Sequence, residues 1–212
     1  MALLHQATLS PTKGELVDRW LPTRVWFDDV RERDPVGSFR LDDPAGAVGM
    51  EGFLLGSGGG GGLFVPLTYR DAPLAGAERH LLGTMEHSVL GTRWVYDACG
   101  DPVWLATVAD TIRSGGTQAV EEVDDGGTRR VREPSATAVG SGDPAADPGR
   151  VAVPAAGAVT CRDTGTTTEV TAGDLHLVVA RVLGTRLDGE ASLTCSWSGG
   201  STVVASLAAA PA

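Results

Sequence analysis

The sequence predicts an α+β protein, an antiparallel sheet with two principal helices packed on it, and three observations carry that prediction. Short runs rich in Val, Leu, Thr and aromatic residues recur along the chain between Gly, Pro and Asp clusters, the pattern of strands joined by tight turns. Only two stretches show apolar residues at helical spacing behind a capping signal, Thr12–Leu21 and Asp101–Arg113. Glycine (29 residues) and proline (12) approach a fifth of the 212 residues, a turn content that excludes an all-helical chain.

Ala2–Leu9 reads as a strand, after which Pro11 fits a first helical position and Thr12 with Glu15 forms a capping box. Leu16, Val17, Trp20 and Leu21 give that helix one apolar stripe, and Pro22 ends it. The acidic stretch Trp26–Pro35 reads as a solvated loop. Ser38–Leu41 and Val48–Leu55 follow as strands across Asp42-Asp43-Pro44-Ala45-Gly46, which has turn chemistry. Gly56–Gly62 then leads into the strand Leu63–Tyr69. This run formally satisfies G-x-G-x-x-G, yet a phosphate-cradling loop needs a helix after it, so a hairpin tip is expected.

Leu81–Thr111 reads as two strands running into a helix, with Val89–Asp97 as the second strand. Asp101 caps the helix, Pro102 takes its first position, and Leu105, Val108 and Ile112 share one face. Ala119–Val123 and Thr128–Arg132 flank Asp124-Asp125-Gly126-Gly127, the clearest hairpin signal in the chain. Glu133–Ala158 is Pro, Ala, Gly, Ser and Asp with almost no core pattern, and is expected as a flexible loop. Val159–Cys161, Glu169–Thr171, Leu175–Val182, Ala191–Trp197 and Thr202–Leu207 are short strands. The organisation expected is therefore residues 1–132 as an α+β region, 133–158 as the loop, and 159–212 as strands completing the same domain. Val-Leu-Gly-Thr-Arg occurs at Val89–Arg93 and again at Val182–Arg186 without longer similarity, which reads as coincidence or a shared strand-end turn.

A formal charge of −10 and a single lysine, Lys13, argue against nucleic acid and against an anionic membrane leaflet, both of which are bound through basic side chains. The first residues lack a basic segment before an apolar run, and no stretch of about 18 apolar residues exists, so neither a signal peptide nor a spanning helix is expected. Cys99, Cys161 and Cys195 are too few for a disulfide framework; reduced thiols in a cytoplasmic protein are the expectation, with a Cys161–Cys195 bridge as the alternative.

Chemistry-bearing side chains concentrate at Glu86, His87, Arg93, Trp94, Tyr96 and Asp97, which form the candidate binding surface. Strand alternation places Thr92, Trp94 and Tyr96 on one face and Arg93, Val95 and Asp97 on the other. His80 and His87 are seven apart, which matches no metal-ligand spacing, and no cofactor is expected. Ser10-Pro11-Thr12-Lys13 matches S-x-x-K formally, but its companion motifs are absent and a helix start explains it. His87 with Asp97 is a conceivable acid–base pair. Trp94 and Tyr96, with Trp20, Trp26 and Trp104, either fill core or form a docking or sugar-stacking surface.

Ala2-Leu-Leu-His-Gln-Ala-Thr-Leu-Ser-Pro-Thr-Lys13, Thr68-Tyr-Arg-Asp-Ala-Pro-Leu74 and the segment His80–Val103 together resemble the N-terminal cap domain of actinobacterial maltokinases. The resemblance implies a curved antiparallel sheet with helices, cystatin-like in topology, set beside the nucleotide-binding lobe of a kinase. A kinase needs an ATP lysine, a catalytic Asp and magnesium ligands in further lobes, and no such elements follow in this chain. The expectation is therefore a freestanding, non-catalytic, cap-like accessory or regulatory module of maltose, trehalose or glycogen metabolism. Its partner would be a sugar-metabolising enzyme such as a kinase or trehalose synthase. The alternatives are a saccharide- or small-ligand-binding protein using the aromatic surface, and a small enzyme using His87 and Asp97.

Overall fold

A computed structural model describes residues 2–28, 33–56, 61–125, 128–145 and 149–208. The chain begins with β1 (Ala2–His5) and β2 (Leu9–Ser10), enters helix α1 (Lys13–Trp20), and forms β3 (Asp34–Leu41), β4 (Gly49–Gly56), β5 (Gly62–Arg70), β6 (Leu81–His87) and β7 (Gly91–Asp97) before helix α2 (Pro102–Arg113). After α2 come β8 (Glu121–Asp125), β9 (Thr128–Arg132), β10 (Ala136–Gly140), β11 (Thr160–Thr164), β12 (Thr167–Ala172), β13 (Leu175–Ala180), β14 (Ala191–Trp197) and β15 (Gly200–Leu207). The α+β class is as expected.

The strands form two six-stranded antiparallel sheets, ordered β2-β6-β7-β5-β4-β3 and β10-β14-β15-β13-β12-β11. A small third sheet pairs β1 in parallel with β8, which also takes β9 antiparallel. The first expected strand is thus two pieces that serve different sheets. The tip between β4 and β5, at residues 57–60, lies outside the described residues, while its flanks pair as a hairpin at Gly56 and Gly62.

Both helices start where local chemistry places them. Thr12 is the N-cap of α1, its hydroxyl accepting from the Glu15 N–H while Glu15 reaches back to the Thr12 N–H at 2.7 Å. Pro11 stands before the cap and not at the first helical position. Asp101 caps α2, accepting from Val103 at 3.0 Å, with Pro102 next.

The middle of the first sheet, β4 and β5, is buried on both faces. Glu51, Phe53 and Leu55 of β4 alternate with Met50, Gly52 and Leu54, so the strand reads as an almost continuous apolar run. On one face Phe53, Leu55, Leu63, Val65, Leu67, Met85 and Val95 meet Leu16, Val17 and Trp20 of α1. Each such side chain contributes about 1.5–3 kcal/mol on leaving water. Trp26 joins them, only 4% exposed and edge-on to Trp20 at 5.6 Å, so the expected solvated loop begins with a core tryptophan. On the other face Phe39, Met50, Leu54 and Phe64 pack into one cluster with Trp104, Leu105, Val108 and Ile112 of α2 and Leu177, Val179, Leu193 and Val204 of the second sheet.

The stretch expected as a loop contains a strand. Ala136–Gly140 forms β10, with Ala136 and Ala138 buried against α2. Its inward residues, Ala136, Ala138 and Gly140, are small, and at Gly140 the reason is the backbone of α2, since a Cβ there would strike the Thr111 carbonyl. Composition without bulk reflects close approach here.

After β13 the chain leaves the second sheet and bonds to the first. Phe64 donates to the Arg181 carbonyl at 2.9 Å and Leu183 to the Gly62 carbonyl at 2.8 Å. This segment carries the second Val-Leu-Gly-Thr-Arg; both copies turn at a left-handed glycine, Gly91 (φ 73°) and Gly184 (φ 84°), as a shared turn requires.

Candidate functional site

The register of β6, β7 and β5 fixes what each candidate side chain can reach. Met85 pairs with Arg93 and His87 with Gly91, while Leu67 pairs with Asp97. Arg93, Val95 and Asp97 consequently share the α1 face with Met85 and His87, whereas Trp94, Tyr96 and Glu86 lie on the opposite face. The six expected surface residues are divided between two faces.

Two of the six are interior. Tyr96 is 2% exposed, and its hydroxyl accepts from the Leu74 N–H at 2.8 Å. Asp97 is buried and holds the Arg181 guanidinium, Nη2 to Oδ2 2.6 Å. His87 and Asp97 stand at opposite ends of the β6–β7 ladder, about 20 Å apart by strand rise, so they form no acid–base pair. His87 instead accepts at Nδ1 from the Val89 and Leu90 N–H groups and meets His5 edge-on at 6.1 Å. Burial, with His5 and Arg93 nearby, holds its pKa below the ordinary histidine value. Glu86 is exposed and accepts from the Thr92 hydroxyl at 2.9 Å, and Trp94 is half-buried.

The densest arrangement of charge lies beside these residues. A cavity of about 610 Å³ opens on the α1 face of the first sheet. Its floor is Glu51 of β4, with Arg40 directly opposite on β3 and Tyr69 on β5; its walls include Lys13 at the start of α1, Met85, His87 and Arg93. Lys13 Nζ stands 2.7 Å from Glu51 Oε1 and 3.8 Å above the Phe53 ring. The Tyr69 hydroxyl donates to Glu51 Oε2 at 2.6 Å, and Arg40 Nη2 lies 3.4 Å from the same oxygen.

Glu51 is only 3% exposed. Burial alone would raise its pKa, but the Arg40 and Lys13 charges and the hydrogen bonds from Lys13 and Tyr69 reverse this and hold it at about 2. The same burial, with the Glu51 charge, drives the Tyr69 phenol well above its usual range. The sequence reading missed Lys13, Arg40, Glu51 and Tyr69. One signal pointed there: Glu51 is the single charge inside the apolar run of β4, and such a charge needs a buried partner.

A second ionic cluster joins the two sheets. Arg181 is fully buried, with Nε donating to the Thr168 hydroxyl at 2.7 Å, and its guanidinium lies 5.0 Å from the Trp26 ring centre. Cys99 and Cys161 adjoin it, the Cys161 thiol donating to the Cys99 carbonyl at 3.1 Å. All three cysteines are free, and the Cys161–Cys195 bridge is not formed. Among the described residues no helix is long and apolar enough to cross a membrane.

The stretch from the end of α1 through β7 to the Asp101 cap, which holds five of the six strands of the first sheet (β3 to β7), is similar to a known family unit. Residues 20–101 match the maltokinase N-terminal cap domain. The matched cap segment holds Arg40, Glu51, Tyr69 and Arg93; Lys13 precedes it, while α2 and the second sheet follow it. No curated protein matches the chain.

Proposed function

We propose that the chain is a cap-like accessory module that docks on and regulates an enzyme of maltose, trehalose or glycogen metabolism, acting in the cytoplasm and performing no chemistry of its own. The observation that carries this reading is the cap match over residues 20–101. The residues after that match fold as α2, the β8–β9 hairpin and a six-stranded antiparallel sheet, and α2 and that sheet pack onto the cap segment. A cystatin-like topology for the first sheet belongs to the same reading. The partner is a sugar-metabolising enzyme such as a maltokinase or a trehalose synthase.

The test is affinity capture on the immobilised full chain, followed by turnover assays of maltokinase and trehalose synthase with and without added protein. Retention of one of these enzymes with a changed rate supports the proposal. No retention and unaltered turnover of both overturns it.

A further inference from the structure

We infer that His87 is a pH-sensitive latch on the Val89-Leu90 tip between β6 and β7: as a neutral imidazole it holds the tip, and on protonation it lets go. The geometry that carries this centres on one ring atom. Nδ1 of His87 accepts from the Val89 N–H at 3.2 Å and from the Leu90 N–H at 3.1 Å. It does so only with its lone pair free, because both ring nitrogens of a protonated histidine are donors. The proton of the neutral ring therefore sits on Nε2. A second proton, at Nδ1, would set a donor against two donors, and both N–H groups would have to turn away to water.

The rest of the turn is fastened by groups that keep their charge state through the histidine range. The Ser88 N–H donates to the Thr8 carbonyl at 3.1 Å, and the Ser88 hydroxyl accepts from the Thr8 N–H at 3.0 Å. The Leu90 carbonyl accepts from Arg93 Nη2 at 2.6 Å, and Gly91, at φ 73°, returns the chain to β7. Protonation of His87 thus frees the two N–H groups and leaves the flanks of the turn in place. Val89 and Leu90 are already 56% and 44% exposed, so their release breaks no core. What changes is how two apolar side chains are presented to solvent.

The surroundings set the direction of the switch. His5 of β1 meets the His87 ring edge-on at 6.1 Å, and Arg93 of β7 lines the same cavity. β2, where Leu9 pairs with His87, brings no titratable side chain. Across the cavity stand Lys13 of α1, Arg40, Glu51 and Tyr69 of β3 to β5, and the carboxylates Asp42, Asp43 and Asp71. Burial first, then His5 and Arg93, holds the His87 pKa below its ordinary value, while the residue's own backbone works the other way. A pKa lowered in the folded chain means that the neutral, holding form is complete above about pH 6.5 and is lost as the pH falls below it. The latch is closed at neutral pH and opens in mild acid.

This inference does not rest on enzyme docking, and either can fail alone. The test is an NMR titration of the full chain from about pH 8 down to about pH 5, above the range in which Glu51 takes up its proton. At the start the His87 imidazole nitrogens should report the Nε2–H tautomer, and their midpoint should lie below about 6.5. Protection of the Val89 and Leu90 amides from exchange, corrected for the intrinsic effect of pH, should fall about tenfold at that same midpoint, while the Ser88 amide keeps its protection. These readouts belong to the unmodified protein and depend on no variant. His87→Ala should leave both amides unprotected at every pH. His5→Gln should keep the transition and move it to higher pH, since His5 is one of the groups that lower the His87 pKa. The opposite tautomer, amide protection that does not follow the His87 midpoint, a transition that survives in His87→Ala, or one that vanishes in His5→Gln would overturn the assignment.

Discussion

Arg181 and Asp97 lie 84 residues apart and meet in the interior, guanidinium Nη2 to carboxylate Oδ2 at 2.6 Å, tying the segment after β13 to the end of β7. Arg181→Met should leave Asp97 as a buried, uncompensated charge and cost about 3–5 kcal/mol in urea unfolding. Arg181→Met combined with Asp97→Asn should recover most of that loss, since an apolar and amide replacement removes both charges together. Equal destabilisation by the single and double variants would count against a charge origin.

Glu51 gives the protein an acid-sensitive term. Its folded pKa, about 2, lies below the unfolded value of 4.5, so the unfolded chain binds the proton more readily. The stabilisation is complete above about pH 4.5 and is lost as the pH falls toward 2, amounting to about 3 kcal/mol in full. Urea midpoints measured on descending through this window should fall steeply in the natural protein. Glu51→Gln should be less stable at neutral pH and should show a shallower decline.

Asp101 serves two partners at once. It caps α2 through Val103 and receives both Nε and Nη2 of Arg70 at 2.7 Å. Asp101→Asn keeps the cap acceptor and loses the charge, whereas Asp101→Ala loses both. The alanine variant should therefore be less stable than the asparagine variant by about 1 kcal/mol, the ordinary worth of an N-cap, in thermal or urea unfolding.

The thiols should be silent in the native state. Burial raises Cys99 well above its usual pKa and pushes Cys161 and Cys195 to about 12, and the thiolate is the reactive form. A chromogenic disulfide reagent at neutral pH should label none of the three in the folded protein and all three in urea. Rapid native labelling of Cys161, the one half-buried thiol, would contradict this.

What could be seen in the sequence was local. Thr12 with Glu15, and Asp101 with Pro102, announce their helices because a cap is made by neighbours within one turn. Alternation along β7 correctly separated Trp94 and Tyr96 from Arg93 and Asp97. Their burial was hidden, because a sheet covered on both faces leaves no solvent side for a polar residue to mark. The Lys13–Glu51 and Arg181–Asp97 pairs span 38 and 84 residues and depend on strand order, which no local pattern encodes. β10 was missed for a related reason: alanine and glycine beneath α2 carry no apolar bulk to announce a strand.

The double covering of the first sheet also restricts how any outside protein can approach. Were both broad faces bare, a partner could lie flat across either one. Here α1 occupies one face and the chain's own α2 and second sheet occupy the other. An outside protein is left with the sheet's margins, the exposed Val89-Leu90 tip between β6 and β7, and the part of the α1 face that α1 leaves open as the cavity.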